Sequence, residues 1–220
     1  RMGEDPYIAT NMLISQDATF LRESVEFMMK INNERKQQTD DQAKIAKEIL
    51  MQEMESIYGR QTEAEFLQNL PPAIVIKSDE FTEGIIGIVA GRLKNEFYRP
   101  VVVLAPSGDG VLKASCRSID GFHLKNNLDK LSDLLIVYGG HAKAAGLSIL
   151  ENNLTEFKQR FLALAGTIAE EKHKEIVELD AVLTMAQATI KQIQDLRILE
   201  PYGEAFPPPI FGLKFSYDAV

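Results

Sequence analysis

The chain has 220 residues, of which 45% are hydrophobic and 25% charged, a composition ordinary for globular protein and long enough for one large domain or two small ones. No apolar run approaches the ~18 residues that a membrane helix requires, and the opening Arg1-Met2-Gly3-Glu4-Asp5-Pro6 lacks a signal-type stretch, so no membrane partner is expected. Cys116 is the only cysteine and the net charge is −8, which excludes an internal disulfide, fits a reducing cytoplasm and weighs against a simple nucleic-acid binder.

Asp5 before Pro6 predicts a helix start, with a short helix through about Ile14. A much longer helical pattern runs from about Ala18 to Tyr58, with apolar positions at Phe20, Leu21, Val25 and Met28, then Ile45, Ile49, Met54 and Ile57. Between them Asn32 to Asp41 holds no apolar residue, the pattern of a helix that bridges bodies through solvent. The alternative is a helical hairpin turning near Thr39-Asp40-Asp41. Residues 1–70 are therefore expected to form a helical connector.

The pattern changes at Pro71-Pro72. The runs Ala73–Ile76 and Pro100–Ala105 predict strands buried on both faces, with a helix over Glu83–Phe97 between them. Pro106–Gly110 is a turn and Val111–Arg117 a third strand. A helix is expected over Leu124–Leu135, then the apolar run Ile136-Val137-Tyr138 and a strand over Gly146–Leu150. Asn153 with Glu156 predicts a capping box for a helix bearing Leu154, Phe157, Phe161, Leu164 and Ile168. Strands interleaved with helices indicate an α/β layer structure over residues 71–170. Beyond the charged stretch Glu170–Glu175, Glu178–Leu183 is expected as a strand and Ala186–Leu196 as a helix. The alternation of Phe211, Leu213, Phe215 and Tyr217 with Gly212, Lys214, Ser216 and Asp218 predicts a half-buried strand.

Charge singles out the middle of the chain. Residues 71–165 have 11 basic and 10 acidic side chains, against 8 and 13 in residues 1–70 and 5 and 9 in residues 166–220, so a local anion site belongs there. Lys113, Ser115 and Arg117 share one face of their strand, and a guanidinium beside a hydroxyl suits phosphate. The competing reading is an edge strand turning its polar side to water. Gly139-Gly140-His141 offers backbone freedom, amides for an anion and an imidazole, or else a plain turn with a capping or core histidine. Gly84-Ile-Ile-Gly-Ile-Val-Ala-Gly91 matches no phosphate-loop pattern, and its small residues suit close packing on a sheet. His123 after Asp120 and the lone Cys116 are expected to be structural and inert. No carboxylate-rich motif of the two-metal kind is present, so no metal ligands and no hydrolytic centre are expected from these residues.

Taken in order, Gly84–Leu93, Tyr98–Leu104, Gly110–Ser118, Gly121–Leu124 and Tyr138-Gly-Gly-His-Ala-Lys-Ala-Ala-Gly146 resemble the DHH-associated domain of RecJ-like exonucleases in the DHH phosphoesterase superfamily. Arg1-Met2-Gly3 is similar to the close of that family's first domain, and Leu199–Pro209 to the entry of its OB-fold. The resemblance implies a small mixed sheet with flanking helices, preceded by a long connecting helix and followed, over residues 176–220, by the beginning of an OB-fold. Because both ends fall inside motifs, a piece of a longer protein is expected. The resemblance also implies a 5′→3′ exonuclease on single-stranded DNA acting in recombination and mismatch repair. Mn²⁺ or Mg²⁺ would be held by the first domain rather than by these residues, leaving this part inactive alone. Ser115, Arg117, Gly139 and Gly140 would grip a phosphate, His141 would face the catalytic cleft, and Arg1 would reach the same region. Single-strand-binding protein and a helicase are the implied protein partners. The chain departs from the family pattern in having Thr82-Glu83 where a histidine is frequent before the Gly84 position. It also has Ala114-Ser115-Cys116-Arg117-Ser118 for Gly-Ser-Gly-Arg-Ser. Two other readings are a related phosphodiesterase for nano-RNA or cyclic dinucleotides, and a non-catalytic module whose acidic flanks suit basic partners.

Overall fold

The computed structural model describes residues 5–168, 174, 176–203 and 205–214. The chain divides into two units, Arg1–Lys174 and Glu175–Val220, and each is described by itself.

The first unit begins with α1 (Tyr7–Ile14) and α2 (Ala18–Tyr58). Asp5 accepts a hydrogen bond from the Tyr7 amide at 2.9 Å, one position away from the expected cap geometry, because Pro6 itself is the N-cap. Asp17 caps α2 by accepting from the amides of Thr19 and Phe20. The helix runs unbroken for 41 residues, roughly 60 Å, so the hairpin near Thr39 does not form. Its polar middle is held by side-chain pairs one turn apart, such as Gln37 to Asp41. Nor does that stretch only bridge solvent. Thr39 and Gln42 are buried, Gln42 exchanges two hydrogen bonds with Thr82, and Asp40 pairs with Arg92 at 2.5 Å. Polar contacts, invisible to a hydrophobic pattern, dock the helix. Its later part enters the core through Ala46, Leu50 and Met54, so the second half of the connector belongs structurally to the sheet unit. A short α3 (Glu63–Gln68) follows, started by a Thr62–Glu65 capping box.

The sheet has order β1-β2-β3-β5-β4, with β1 (Ile74–Lys77), β2 (Val101–Pro106), β3 (Val111–Arg117), β4 (Leu135–Gly140) and β5 (Ala144–Leu150). β1 and β2 are parallel, joined by α4 (Glu83–Phe97) as a crossover connection demands, and the remaining pairs are antiparallel. Val101 to Ala105 are fully buried because β2 is covered on both faces. On one face Phe157 and Phe161 of α6 (Leu154–Ala165) and Leu124 and Leu128 of α5 (Leu124–Asp129) pack on Leu112, Ala114, Cys116, Leu147 and Ile149. On the other, α2 and α4 seal Ile74, Ile76, Val101, Val103 and Ala105. That second layer covers the β1–β2 side and reaches over Ser115 and Arg117 of β3, leaving a cavity over the rest of that face between β3, β5 and β4.

Two expected elements differ. α5 stops at Asp129 and a 3₁₀ turn spans Ser132–Leu134; Leu128, Leu131 and Leu134 are all buried, a three-residue spacing that a tighter turn satisfies. The Asn153 capping box does not form, since Asn153 is already in a 3₁₀ turn with α-region backbone and its side-chain amide donates to the Leu134 carbonyl at 3.1 Å.

In the second unit β6 (Ala181–Thr184) pairs in parallel with β7 (Phe211–Lys214). The helix between them, α7 (Ile190–Asp195), is shorter than expected at its start, because Thr189 with Gln192 makes a capping box there. The expected strand continues past Lys214 into residues 215–220, which lie outside the described residues.

Candidate nucleic-acid interface

β3 places Lys113, Ser115 and Arg117 on the open face. It is an interior strand, paired to β2 on one side and β5 on the other, so the edge-strand reading is excluded. A cavity of about 630 Å³ stands over that face, lined by β3, β5, β4 and the first turns of α4. Across the sheet Ser115 is in register with Gly146 of β5, and Gly146 with Gly139 of β4. Next to that row, Lys113 is in register with Ser148 and Ser148 with Val137. The floor beside Ser115 is thus bare backbone. A Cβ at Gly139 would meet nothing within 4 Å, and one at Gly146 only the Ala114 carbonyl at 3.6 Å. Packing does not demand glycine at either place, so their value is the space they leave above the sheet.

Gly87 is different. A Cβ there would stand 3.1 Å from Ser115 Oγ and 3.2 Å from Arg117 Nη2, so glycine lets α4 close down over the two side chains. Packing explains Gly87, as the small-residue pattern suggested, whereas Gly91 has open space around it. Beneath α4 the Arg117 guanidinium donates from Nη1 to Ser115 Oγ at 3.1 Å and to the Cys116 carbonyl at 2.8 Å. Arg117 has no ion-pair partner among the described residues. A positioned fork without a carboxylate is ready for an external anion. The neighbouring Lys113 does have one. Its ammonium lies 2.8 Å from Glu83 Oε1 in the first turn of α4, and Ser107 donates to the same oxygen at 2.6 Å. The Lys113 ammonium and then the Ser107 hydroxyl hold the Glu83 carboxyl below its ordinary range.

The Gly-Gly-His segment divides between two tasks. Gly139 lines the cavity and Gly140 does not. Gly140 has φ 143°, and a Cβ on it would lie 2.4 Å from the Ala144 carbonyl, so glycine there is required by the turn itself. His141 sits on the turn, exposed, with its amide donating to Ala144 O at 2.8 Å. It is neither core nor among the cavity-lining residues. The hairpin tip is tied to the segment after β3 by Ser118 N to Lys143 O at 2.9 Å and Leu124 N to Ala142 O at 3.0 Å. Tyr138 further anchors β4, donating to Asp129 at 2.8 Å beneath the Lys125 ammonium. Arg1 lies outside the described residues. His123 caps α5, its Nδ1 accepting from the Asn126 amide, and Cys116 is sealed in the core, where burial pushes its thiol up to about 12. Sequence reasoning missed Ser148 and Val137 on the floor and Glu83 at the rim; the small, alternating Gly146 and Ser148 were the available signal for the floor.

Among the described residues no three His, Cys, Asp or Glu side chains come together as a metal group. The described residues therefore do not fit a divalent ion. No described helix is long and apolar enough to cross a membrane.

Residues 71–176, which carry the mixed five-stranded sheet, its crossover helix and the Gly-Gly-His hairpin, match the DHHA1 domain. The particular likeness is to RecJ. The chain is 40% identical over 151 residues to the single-stranded-DNA-specific exonuclease RecJ of Dickeya dadantii, covering 66% of this chain and 26% of that protein. With the RecJ of Bacillus subtilis it shares 30% over 204 residues, 91% of this chain and 24% of the relative. The crystal structure of RecJ in complex with Mg²⁺ from Thermus thermophilus superposes with a TM-score of 0.74 at 28% identity, over 93% of this chain and 29% of that one. The chain is thus similar to RecJ, with residues 71–176 matching the DHHA1 domain, and it spans about a quarter of the length of the curated relatives it matches.

Proposed function

We propose that this chain is the strand-gripping part of a 5′→3′ single-stranded-DNA exonuclease of recombination and mismatch repair, and that its open sheet face receives the 5′-terminal phosphate. The observation that carries this reading is Arg117, fixed by Ser115 Oγ and the Cys116 carbonyl yet free of any described carboxylate, at the back of a glycine-floored cavity. In this reading the Arg117 fork and the Ser115 hydroxyl bind the phosphate oxygens, charge-assisted and geometrically selective. Gly139 and Gly146 let the strand approach the sheet, and His141 faces the reacting end from the hairpin, with Gly140 setting that turn and Arg1 contributing from outside the described residues. Hydrolysis belongs to a further domain carrying Mn²⁺ or Mg²⁺, in keeping with the crystal structures of RecJ in complex with each of those ions, so this chain alone binds without cutting. Residues 176–220 are the entry to an OB-fold that tracks the strand. Single-strand-binding protein and a helicase are its partners, and its place is the cytoplasm.

The test is fluorescence anisotropy at low salt with 5′-phosphorylated and 5′-hydroxyl oligonucleotides, using the chain and Arg117→Ala. A preference for the phosphorylated end, lost in the variant, is the expected result. Equal affinity for both ends in the unaltered chain would overturn the phosphate-gripping role.

A further inference from the structure

Glu83 is the one carboxylate among the cavity-lining residues, and a site for anions has no evident use for it. It is not there by accident of packing. Both of its oxygens meet the Lys113 ammonium, at 2.8 and 3.0 Å, and Ser107 on the β2–β3 turn donates to the nearer one. A carboxylate offers an ammonium the same paired oxygens that a phosphodiester does. Lys113 and Arg117 share the open face of β3 but stand four residues apart, about 13 Å along an extended strand. Lys113 is held against Glu83 and Arg117 against Ser115 and the Cys116 carbonyl, so the two cations are presented at different points of the face to a nucleic-acid backbone.

Resting on the reading of Arg117 as the terminal-phosphate grip, we infer that Lys113 is a second phosphate contact, and that Glu83 occupies it as an internal competitor which the strand must displace. Arg117 has no described carboxylate to displace, whereas Lys113 is released only when a continuing backbone reaches it. The arrangement favours strands over isolated nucleotides and lowers affinity for each length of strand held, a setting suited to a grip that must move.

The experiment measures affinity of the chain and of Glu83→Gln, Lys113→Gln and the double variant across a salt series, with a 5′-phosphorylated oligonucleotide, its 5′-hydroxyl counterpart and a 5′-mononucleotide. Glu83→Gln is expected to bind oligonucleotide several-fold more tightly with little change in the slope of log affinity against log salt, since Lys113 meets the same phosphate in both, whereas Lys113→Gln should flatten that slope by about 0.7, one phosphate fewer. Lys113→Gln in the Glu83→Gln background is expected to remove the gain in affinity, and the mononucleotide to show neither the gain nor the loss of slope. Ser107→Ala, which loosens Glu83 without removing it, should give a smaller gain of the same sign. An unchanged slope in Lys113→Gln would overturn the inference, as would a gain in Glu83→Gln that survives Lys113→Gln or one equally large on the mononucleotide. Failure of the Arg117 reading looks different: the end preference would be missing in the unaltered chain, while the Glu83–Lys113 comparison on the 5′-hydroxyl strand would still decide this inference.

Discussion

On one face of β3, Leu112, Ala114 and Cys116 are sealed beneath α5 and α6; on the other, Lys113, Ser115 and Arg117 stand at an open cavity. The two sets alternate residue by residue within one strand. The sealed set has its partners inside the protein, in the rings of Phe157 and Phe161 and in neighbouring strands. The open set is only partly matched, with Arg117 held but not neutralised. A domain this size has little stability to spare, so the sealed face must carry the cost of leaving the other uncovered. Stability and binding should then separate cleanly by face, and substitutions can break that separation.

The largest effect belongs to the sealed face. Phe157 is fully buried and stacked on Phe161 with ring centroids 5.5 Å apart. Phe157→Ala is expected to cost about 3–5 kcal/mol, read as a drop in the urea midpoint, with the end preference intact in whatever remains folded. Arg117→Ala should alter stability by no more than about 1 kcal/mol while abolishing that preference. Equal destabilisation by the two would erase the distinction between the faces.

The paired glycines sharpen the comparison because they are neighbours with opposite reasons. Gly140 is held at φ 143° with no room for a Cβ, so Gly140→Ala should cost about 1–3 kcal/mol. Gly139 has open space, so Gly139→Ala should stay within about 0.5 kcal/mol in stability and yet weaken oligonucleotide binding, since its methyl enters the cavity. Thermal melts and anisotropy on both variants check this. Weakened binding from Gly140→Ala at full stability, with none from Gly139→Ala, would reverse the assignment.

Much of this is legible in residue order. The apolar run Val101–Ala105 marks a strand covered on both sides, and alternation alone puts Lys113, Ser115 and Arg117 on one face. What alternation cannot supply is which strands flank β3, since pairing is non-local. Only the pairing with β2 and β5 turns an edge-strand reading into a cavity floor. Likewise Gly-Gly reads as flexibility, and only the approach of Ala144 separates a turn glycine from a floor glycine. The docking of α2 through Asp40 and Gln42 escapes a sequence reading because hydrophobic periodicity is blind to polar contacts. The lengths of α5 and α7 depart from expectation where three-residue spacing and a Thr–Gln cap set the local geometry.

The smallest expected effect tests whether the rim pair on the open face contributes to stability at all. Glu83 is held below the ordinary carboxylate range by Lys113 and Ser107. A carboxyl depressed in the folded state stabilises it above the unfolded value, near pH 4.3, and loses that contribution as pH falls through the folded one. Both side chains are nearly half exposed, so the pair is worth only about 0.2–1 kcal/mol. Glu65, Asp129 and Asp133 are depressed as well, but they remain in both proteins and cancel in a difference. The gap in urea midpoint between the chain and Glu83→Gln should therefore be widest at neutral pH and close as the solution is acidified. A gap that stays constant through the acid range would mean that Glu83 acts through packing rather than charge. In that case the tighter binding expected of Glu83→Gln would lose its electrostatic basis, and the two faces of β3 would share the work of stability after all.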